Sequence, residues 1–339
     1  MDVLIAGFGV VGQGITEVIR DKQELFQRRF GKRVRIVGAF DSHSCAVDPA
    51  GLDPSALLTR KCATGMVGKE RLDTDMAQLT EELEYDTLIE VTPTNIVDGE
   101  PGSTYIRTAL EAGRNVVTSN KGPLALQFGE LSALAAKNQV QLRYEASVGG
   151  AMPVINLSRE LLMGEKIYSL RGILNGTCNF ILNRMKEESL PFSSALQEAQ
   201  EMGYAERDPT YDVEGVDSAC KLTILANAIF GMDVTYSDVV RTGIRGITEE
   251  AIALAGEQKK VIRLIGEISE NRLEVTPRLV PIGHPLAIGG TLNIVQLITD
   301  LAGEVTVVGP GAGRKETASA LLSDILAILK DEEVRNGAK

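Results

Sequence analysis

The chain opens with "DVLIAGFGVVGQGITEVI": a short apolar run, then Gly7-Phe8-Gly9-Val10-Val11-Gly12, then helical periodicity through Ile15, Val18 and Ile19. A GxGxxG run constrains a fold only in context. Here it closes a strand and opens a helix, as a dinucleotide-binding βαβ unit requires. Gly7 permits the tight turn, Gly9 lets a pyrophosphate approach the backbone, and Gly12 lets the helix pack on the strand. Residues Gly7, Phe8, Gly9, Val10, Val11 and Gly12 are thus candidate cofactor-binding residues. A plain strand-to-helix turn is the bland alternative.

A second strand, "VRIVGAFDS", ends at Asp41, where a carboxylate can accept hydrogen bonds from the adenosine ribose and repel a 2′-phosphate. That favours NAD over NADP. The spacing from Gly12 is longer than the usual ~20 residues because "DKQELFQRRFGKR" extends the connection. Lys61 or Arg60 could still reach a phosphate. Next come "DTLIEVTPTN" and "RNVVTSNKGP", apolar strands with polar ends, separated by a helix over about 101–112. Ligands of open parallel sheets bind beyond the carboxyl ends of the strands, which places Thr92, Ser119, Asn120 and Lys121 near a nicotinamide. An exposed loop charge is the other reading of Lys121.

Beyond "VQLRYEASVGGAMP" the pattern changes to helices ("VINLSRELLM", "NFILNRMKEE", "FSSALQEAQEM", "GVDSACKLTILANAIFG") mixed with long strands ("YSLRGILNG", "VIRLIGEI", "LEVTPRLVPI", "TLNIVQLIT"). The expected fold class is α/β: an N-terminal Rossmann domain followed by an α+β substrate region. The tail "VVGPGAGRKETASALLSDILAIL" reads as a glycine turn, with Gly313 a further cofactor-binding candidate, and a helix returning to the Rossmann domain. The expected boundaries are 1–135 plus 305–339 for the first domain and 136–304 for the second.

A net charge of −11 with no Lys/Arg-rich block argues against nucleic acid or an anionic membrane as partner. A small molecule is the better ligand class. The cysteines, Cys45, Cys62, Cys178 and Cys220, lack CxxC spacing, and His43 and His284 complete no zinc site, so free thiols in a reducing cytoplasm are expected. The N-terminus shows no leader pattern, and no run of about 18 apolar residues occurs.

"GYAERDPTYDVEGVDSACKL" gathers Glu206, Asp208, Asp212, Glu214 and Asp217 ahead of Lys221, one turn before the apolar "LTILANAIF". Acids at a helix N-terminus complement its dipole, and an Asp217/Lys221 pair at i,i+4 adds roughly 0.2–0.5 kcal/mol. The apolar run beyond Lys221 points further, to a lysine partly buried among acids.

Together, "GFGVVG", "VTSNKGPLA", "YEASVGGAMP", "RGILNGTCNFIL", "GYAERDPTYDVEGVDSACKL" and "GPGAGRKETASALLSD" resemble the homoserine dehydrogenase family, in its order and over essentially the whole chain. The likeness is to the short form, without a kinase or ACT domain. It implies NAD(P)-dependent interconversion of L-homoserine and L-aspartate 4-semialdehyde, in the route to threonine, methionine and isoleucine, by a homodimer. It further implies Lys221 as proton donor with Lys121 near nicotinamide and substrate. Glu206 and Asp217 would bind substrate, with Asn175, Gly176 and Thr177 by the reacting centre. Asp212 joins the substrate-binding set, although Asp208 and Asp212 could equally position the lysine or cap the helix. The family's monovalent-cation site, largely of backbone carbonyls and suited to Na⁺, would fall at Glu145, Val148, Gly150 and Met152.

The chemistry agrees: a substrate ammonium needs carboxylates, and an aldehyde becoming an alkoxide needs a proton donor. Acids around Lys221 favour its charged form while burial and a nearby Lys121 oppose it, so oxidation, which needs neutral lysine, should be fastest in alkali. Two rivals stand beside this reading. One is a semialdehyde dehydrogenase with Cys178 or Cys220 as nucleophile, although both read as small core residues. The other is a non-catalytic dinucleotide sensor. The strand "TLNIVQLIT" reads either as core or as a subunit interface.

Overall fold

The structure, a computed structural model, describes residues 1–70 and 76–337. Positions 71–75, 338 and 339 of the expected first domain lie outside the described residues. The chain forms two compact units, Met1–Ser147 with Gly313–Lys339, and Val148–Ala312.

The first unit runs β1 (Asp2–Ala6), α1 (Val10–Asp21), α2 (Gln23–Phe30), β2 (Arg35–Phe40), β3 (Ser44–Leu52), α3 (Pro54–Thr64), β4 (Lys69–Glu70), α4 (Met76–Glu82), β5 (Thr87–Glu90), α5 (Gly102–Glu111), β6 (Asn115–Thr118), α6 (Lys121–Lys137) and β7 (Leu142–Arg143). Its sheet has the order β4-β3-β2-β1-β5-β6-β7. From β2 to β7 the neighbours are parallel, while β3 and β4 add an antiparallel edge. Strands buried on both faces read as near-continuous apolar runs, which is why β1 and β6 were legible. The long connection before β2 is the extra helix α2, stopped by Gly31 in the left-handed region.

The second unit contains α7 (Val154–Asn156), running into a π-helical turn over Leu157–Leu161, then β8 (Ile167–Ile173), α8 (Gly176–Glu187), α9 (Phe192–Glu201), α10 (Thr210–Val213), α11 (Val216–Phe230), β9 (Val240–Arg241), α12 (Glu249–Glu257), β10 (Lys260–Ser269), β11 (Arg272–Pro281), β12 (Leu292–Thr299) and β13 (Glu304–Pro310). Its sheet order is β13-β12-β8-β10-β11-β9. Helices α8, α11 and α12 pack on β10. Helix α11 is buried on every face from Val216 to Asn227, Asp217 and Lys221 included, as a central helix would be. The strand containing "TLNIVQLIT" is interior, paired with β8 on one side and β13 on the other.

The chain then returns to the first unit as α13 (Arg314–Gly337). It packs on α1, and a Cβ at Gly14 would lie 2.9 Å from the Arg314 side chain. Its Leu321, Ile325, Ile328 and Leu329 are fully buried. At roughly 1.5–3 kcal/mol for each such side chain, α13 is part of this core rather than an appendage.

The expected breaks at 135/136 and 304/305 fall inside α6 and β13. The units part later because β7 completes the first sheet and "EVTVVGP" is a strand of the second. Among the described residues no helix is long and apolar enough to cross a membrane.

Candidate active site

In the first unit the glycine turn has the geometry its sequence demands. Gly7 has φ +99°, and a Cβ there would lie 2.6 Å from the Val91 carbonyl oxygen. A Cβ at Gly12 would lie 2.1 Å from the Gly7 oxygen, so any side chain would push α1 off β1. A Cβ at Gly9 would meet nothing within 4 Å. That open position at the N-terminus of α1 is where a pyrophosphate can approach. Phe8 is buried, which leaves its main chain for a ligand, whereas Val10 is exposed and Val11 half-buried. Gly313, at φ +138°, directly precedes α13.

Asp41 is more heavily used than its sequence position suggests. One carboxylate oxygen accepts from the His43 N–H (2.8 Å), the Ser44 N–H (2.7 Å) and the Ser44 hydroxyl (3.0 Å). The other accepts from Lys61 Nζ at 2.7 Å. Burial pushes this carboxyl up, but Lys61 and the turn donors outweigh it, and the net direction is down. Lys61, singled out as a phosphate candidate, is thereby paired to the residue meant to repel phosphate.

At the ends of β5 and β6 the four crevice candidates do not stand alone. Thr92 donates from its N–H (2.9 Å) and its hydroxyl to Glu90, and Asn120 Nδ2 reaches Glu90 at 3.3 Å and the Thr92 hydroxyl at 3.2 Å. The Asn120 side chain also caps α6 by accepting from the Gly122 N–H, so Lys121 is the first residue of a capped helix. Ser119 and Lys121 are half-buried.

In the second unit the acid-rich segment separates into distinct roles. Lys221 is 8% exposed, and its Nζ donates to Asp217 Oδ2 (2.6 Å) and to the Leu174 carbonyl (2.7 Å). An ammonium has three N–H donors, and the third has no partner among the described residues. Asn175, the N-cap of α8, accepts from the Cys178 N–H and donates to Asp212 (2.6 Å) and Asp217 (2.9 Å). Gly176 opens α8, and the Thr177 hydroxyl donates to the Tyr204 carbonyl at 2.8 Å. Asp212 is held above the usual carboxylate range by burial and by the Asp217 charge, against the pull of Asn175, Lys221 and Thr177. Asp208 instead accepts from the Thr210 N–H at the start of α10, and Glu214 pairs with Arg245. Glu206 is exposed; its main-chain carbonyl accepts from Gln200 Nε2 at 3.0 Å.

The cysteine alternatives fare poorly. Cys178 and Cys220 are buried, and burial with the nearby Asp212 and Asp217 charges pushes the Cys178 thiol well up, away from a thiolate nucleophile. The cation candidates lie on a tight segment: Glu145, Val148 and Met152 are buried, and Gly150 has φ +56°. Among the described residues no group of three or more His, Cys, Asp or Glu side chains is arranged to hold a metal.

Two buried polar groups were passed over in the sequence. Glu90 sits at the end of an apolar strand, and Asn293, at 1% exposure, has no hydrogen-bond partner for either amide atom among the described residues. Neither belongs to a motif. Only a polar residue interrupting a core strand marks them.

Comparison with known proteins agrees with both halves. The family model for the homoserine dehydrogenase NAD-binding domain matches residues 7–145, and that for homoserine dehydrogenase matches 153–326. A homoserine dehydrogenase of Methanocaldococcus jannaschii is 47% identical over 97% of this chain and 98% of its own. An NAD(+)-dependent homoserine dehydrogenase of Pseudomonas canavaninivorans is 40% identical over 96% of this chain and 95% of its own. A crystal structure described as a "Putative Homoserine Dehydrogenase" from Archaeoglobus fulgidus superimposes with a TM-score of 0.91 at 47% identity, covering 97% of this chain and 99% of that one. With a glycine turn built for a dinucleotide, a buried lysine held among acids, and relatives matched along nearly their whole length, the chain belongs to the homoserine dehydrogenase family.

Proposed function

We propose that this protein interconverts L-homoserine and L-aspartate 4-semialdehyde with NAD(P), and that Lys221 is its acid/base. The observation that carries the reading is the Lys221 ammonium: buried, oriented by two acceptors, with one N–H left over. That N–H donates to the carbonyl oxygen during reduction, and in the reverse direction neutral lysine takes the hydroxyl proton. Asp217 and the Leu174 carbonyl aim the amine. Asp217 and Asp212, steadied by Asn175, face the substrate ammonium, and Glu206 would join them when substrate is bound. Gly176 and Thr177 line the reacting centre from the start of α8. When bound, the nicotinamide supplies or takes up the hydride. The open backbone at Gly9 fits its pyrophosphate, and Thr92, Ser119, Asn120 and Lys121 fit the nicotinamide half.

NAD is the favoured cofactor, because Asp41 occupies the ribose end and Lys61 is tied to it. Na⁺ held by main-chain oxygens at Glu145, Val148, Gly150 and Met152, a homodimer, and a cytoplasmic place in threonine, methionine and isoleucine formation complete the reading. Free cysteines, Cys62 among them exposed, support the reducing compartment. Sodium dependence of the rate and a dimer mass by light scattering test the cation and the assembly. Absence of either removes that part alone.

The deciding experiment follows reduced-cofactor absorbance with L-homoserine in alkali, for wild type and Lys221→Ala, with NAD and NADP in parallel. The expected loss in kcat is about 10²-fold or more with cofactor binding retained. Turnover by the variant within a fewfold of wild type would remove Lys221 from the chemistry. No turnover by wild type would remove the activity.

A further inference from the structure

Glu90 is the last residue of β5, in register with Ala6 of β1 and Thr118 of β6. Strand order reverses between β1 and β5, the switch point of an open α/β sheet. Its carboxylate is 0% exposed. Oε1 accepts from the Thr92 N–H, the Thr92 hydroxyl and Asn120 Nδ2, and Oε2 accepts from the Thr118 hydroxyl at 2.8 Å. Every contact is a donor. The Thr118 hydroxyl in turn accepts from the Asn120 N–H, and the Thr92 hydroxyl from Asn120 Nδ2, so both hydroxyls are oriented with their protons toward Glu90.

That network is arranged around an acceptor-only group, an anion, yet Glu90 has no lysine, arginine or histidine paired with it among the described residues. Burial outweighs the donors Thr92, Thr118 and Asn120, so its carboxyl is held above its ordinary value while no cation is near. A buried carboxylate without a counter-ion costs several kcal/mol. In an α/β sheet that cost points to a cation arriving from outside, beyond the carboxyl ends of the strands.

We propose that Glu90 is the counter-charge for the positively charged, oxidised nicotinamide ring, and that it favours binding of the oxidised over the reduced cofactor. The inference rests on the reading above, in which the nicotinamide half lies at the ends of β5 and β6. Hydride transfer to the ring neutralises it, so the attraction exists in one redox state only. Glu90 is thus a positioning residue in two senses: it orients Thr92 and Asn120, and its charge biases which cofactor form is held.

Calorimetry on the full chain, wild type and Glu90→Gln, would give Kd for oxidised cofactor, reduced cofactor and ADP-ribose, which lacks the nicotinamide. Glutamine keeps an acceptor toward Thr92 and Asn120 and can donate to the Thr118 hydroxyl, so the shape survives and the charge does not. The expected result is about a tenfold weaker Kd for the oxidised form, the size expected of one charge removed at several ångströms, with the other two changed less than about threefold. Equal weakening of all three, which a merely structural role would produce, overturns the proposal. So does no change in any. Failure of wild type to bind the oxidised, reduced or ADP-ribose ligand would instead overturn the underlying cofactor reading. If Glu90→Gln does not fold, Thr118→Val carries the test by removing a donor from the carboxylate. It should shift the oxidised-to-reduced ratio the same way by a smaller factor, and an unchanged ratio overturns the proposal.

Discussion

At the scale of single residues, Asp212 shows how the acid cluster trades stability for a site. Its carboxyl is raised in the folded chain, by burial first and by Asp217 next. The folded state therefore holds this proton more tightly than the unfolded state. That contribution is present below the unfolded value of ~3.9 and is lost as pH rises through the raised folded value. At neutral pH a charge is kept near Asp217 at a cost. Asp212→Asn keeps an oxygen for Asn175 and removes the charge, so the variant should melt about 2 °C or more above wild type at neutral pH. The gain should shrink as pH falls through the raised folded value and wild-type Asp212 takes up its proton. Calorimetric melting of both proteins across that range checks it, and a pH-independent difference would mean the like-charge account of Asp212 is wrong. The same variant should bind L-homoserine more weakly if Asp212 faces the ammonium. Lost substrate affinity beside gained stability would mark it as a site residue rather than one that only steadies a turn, as Asp208 does by accepting from the Thr210 N–H.

At the scale of elements, a local pattern was legible where one physical cause set it. The β1 to α1 turn is an example, because Gly7 and Gly12 each face a main-chain oxygen at a separation no side chain tolerates. Gly12→Ala should cost about 1–3 kcal/mol of stability and weaken cofactor binding, since the added carbon meets backbone rather than a movable side chain. Denaturant unfolding and a cofactor titration measure both, and an unchanged midpoint would mean α1 shifts at no cost. The i,i+4 spacing of Asp217 and Lys221 was legible for the same reason, being internal to one helix. What escaped was set by distant partners. Strand β13 alternates exposed and half-buried residues, so "EVTVVGP" shows no continuous apolar run, and only pairing with β12 makes it a strand. The network of Glu90 joins residues up to thirty positions apart, and nothing in "DTLIEVTPTN" shows that its acid points inward. Glu206 shares that segment with Asp217 but is exposed, a difference in burial that spacing along the chain does not reveal.

At the scale of the whole molecule, the second unit is an insertion between β7 and α13, and its two ends meet. A Cβ at Gly150 would lie 2.7 Å from the Gly311 carbonyl carbon, and the Ala151 N–H donates to the Pro310 carbonyl at 3.2 Å. An insertion whose ends are adjacent can be removed without leaving a gap in what it contains. Residues 148–312 also hold their own sheet, the buried helix α11 and the whole Lys221 cluster. Expressed alone, 148–312 should fold with a cooperative thermal transition, and 1–147 joined by a short flexible linker to 313–339 should bind the dinucleotide. The second half of that expectation depends on α13, whose Leu321, Ile325, Ile328 and Leu329 complete the core around α1. Omitting 313–339 from the linked fragment should therefore abolish both folding and binding, while the 148–312 fragment is indifferent to the omission. Circular dichroism melts and cofactor titration read all three fragments. A 148–312 fragment that melts without cooperativity would mean its core is completed from outside, and the division into two self-sufficient halves, one with the glycine turn and one with the Lys221 cluster, would have to be given up.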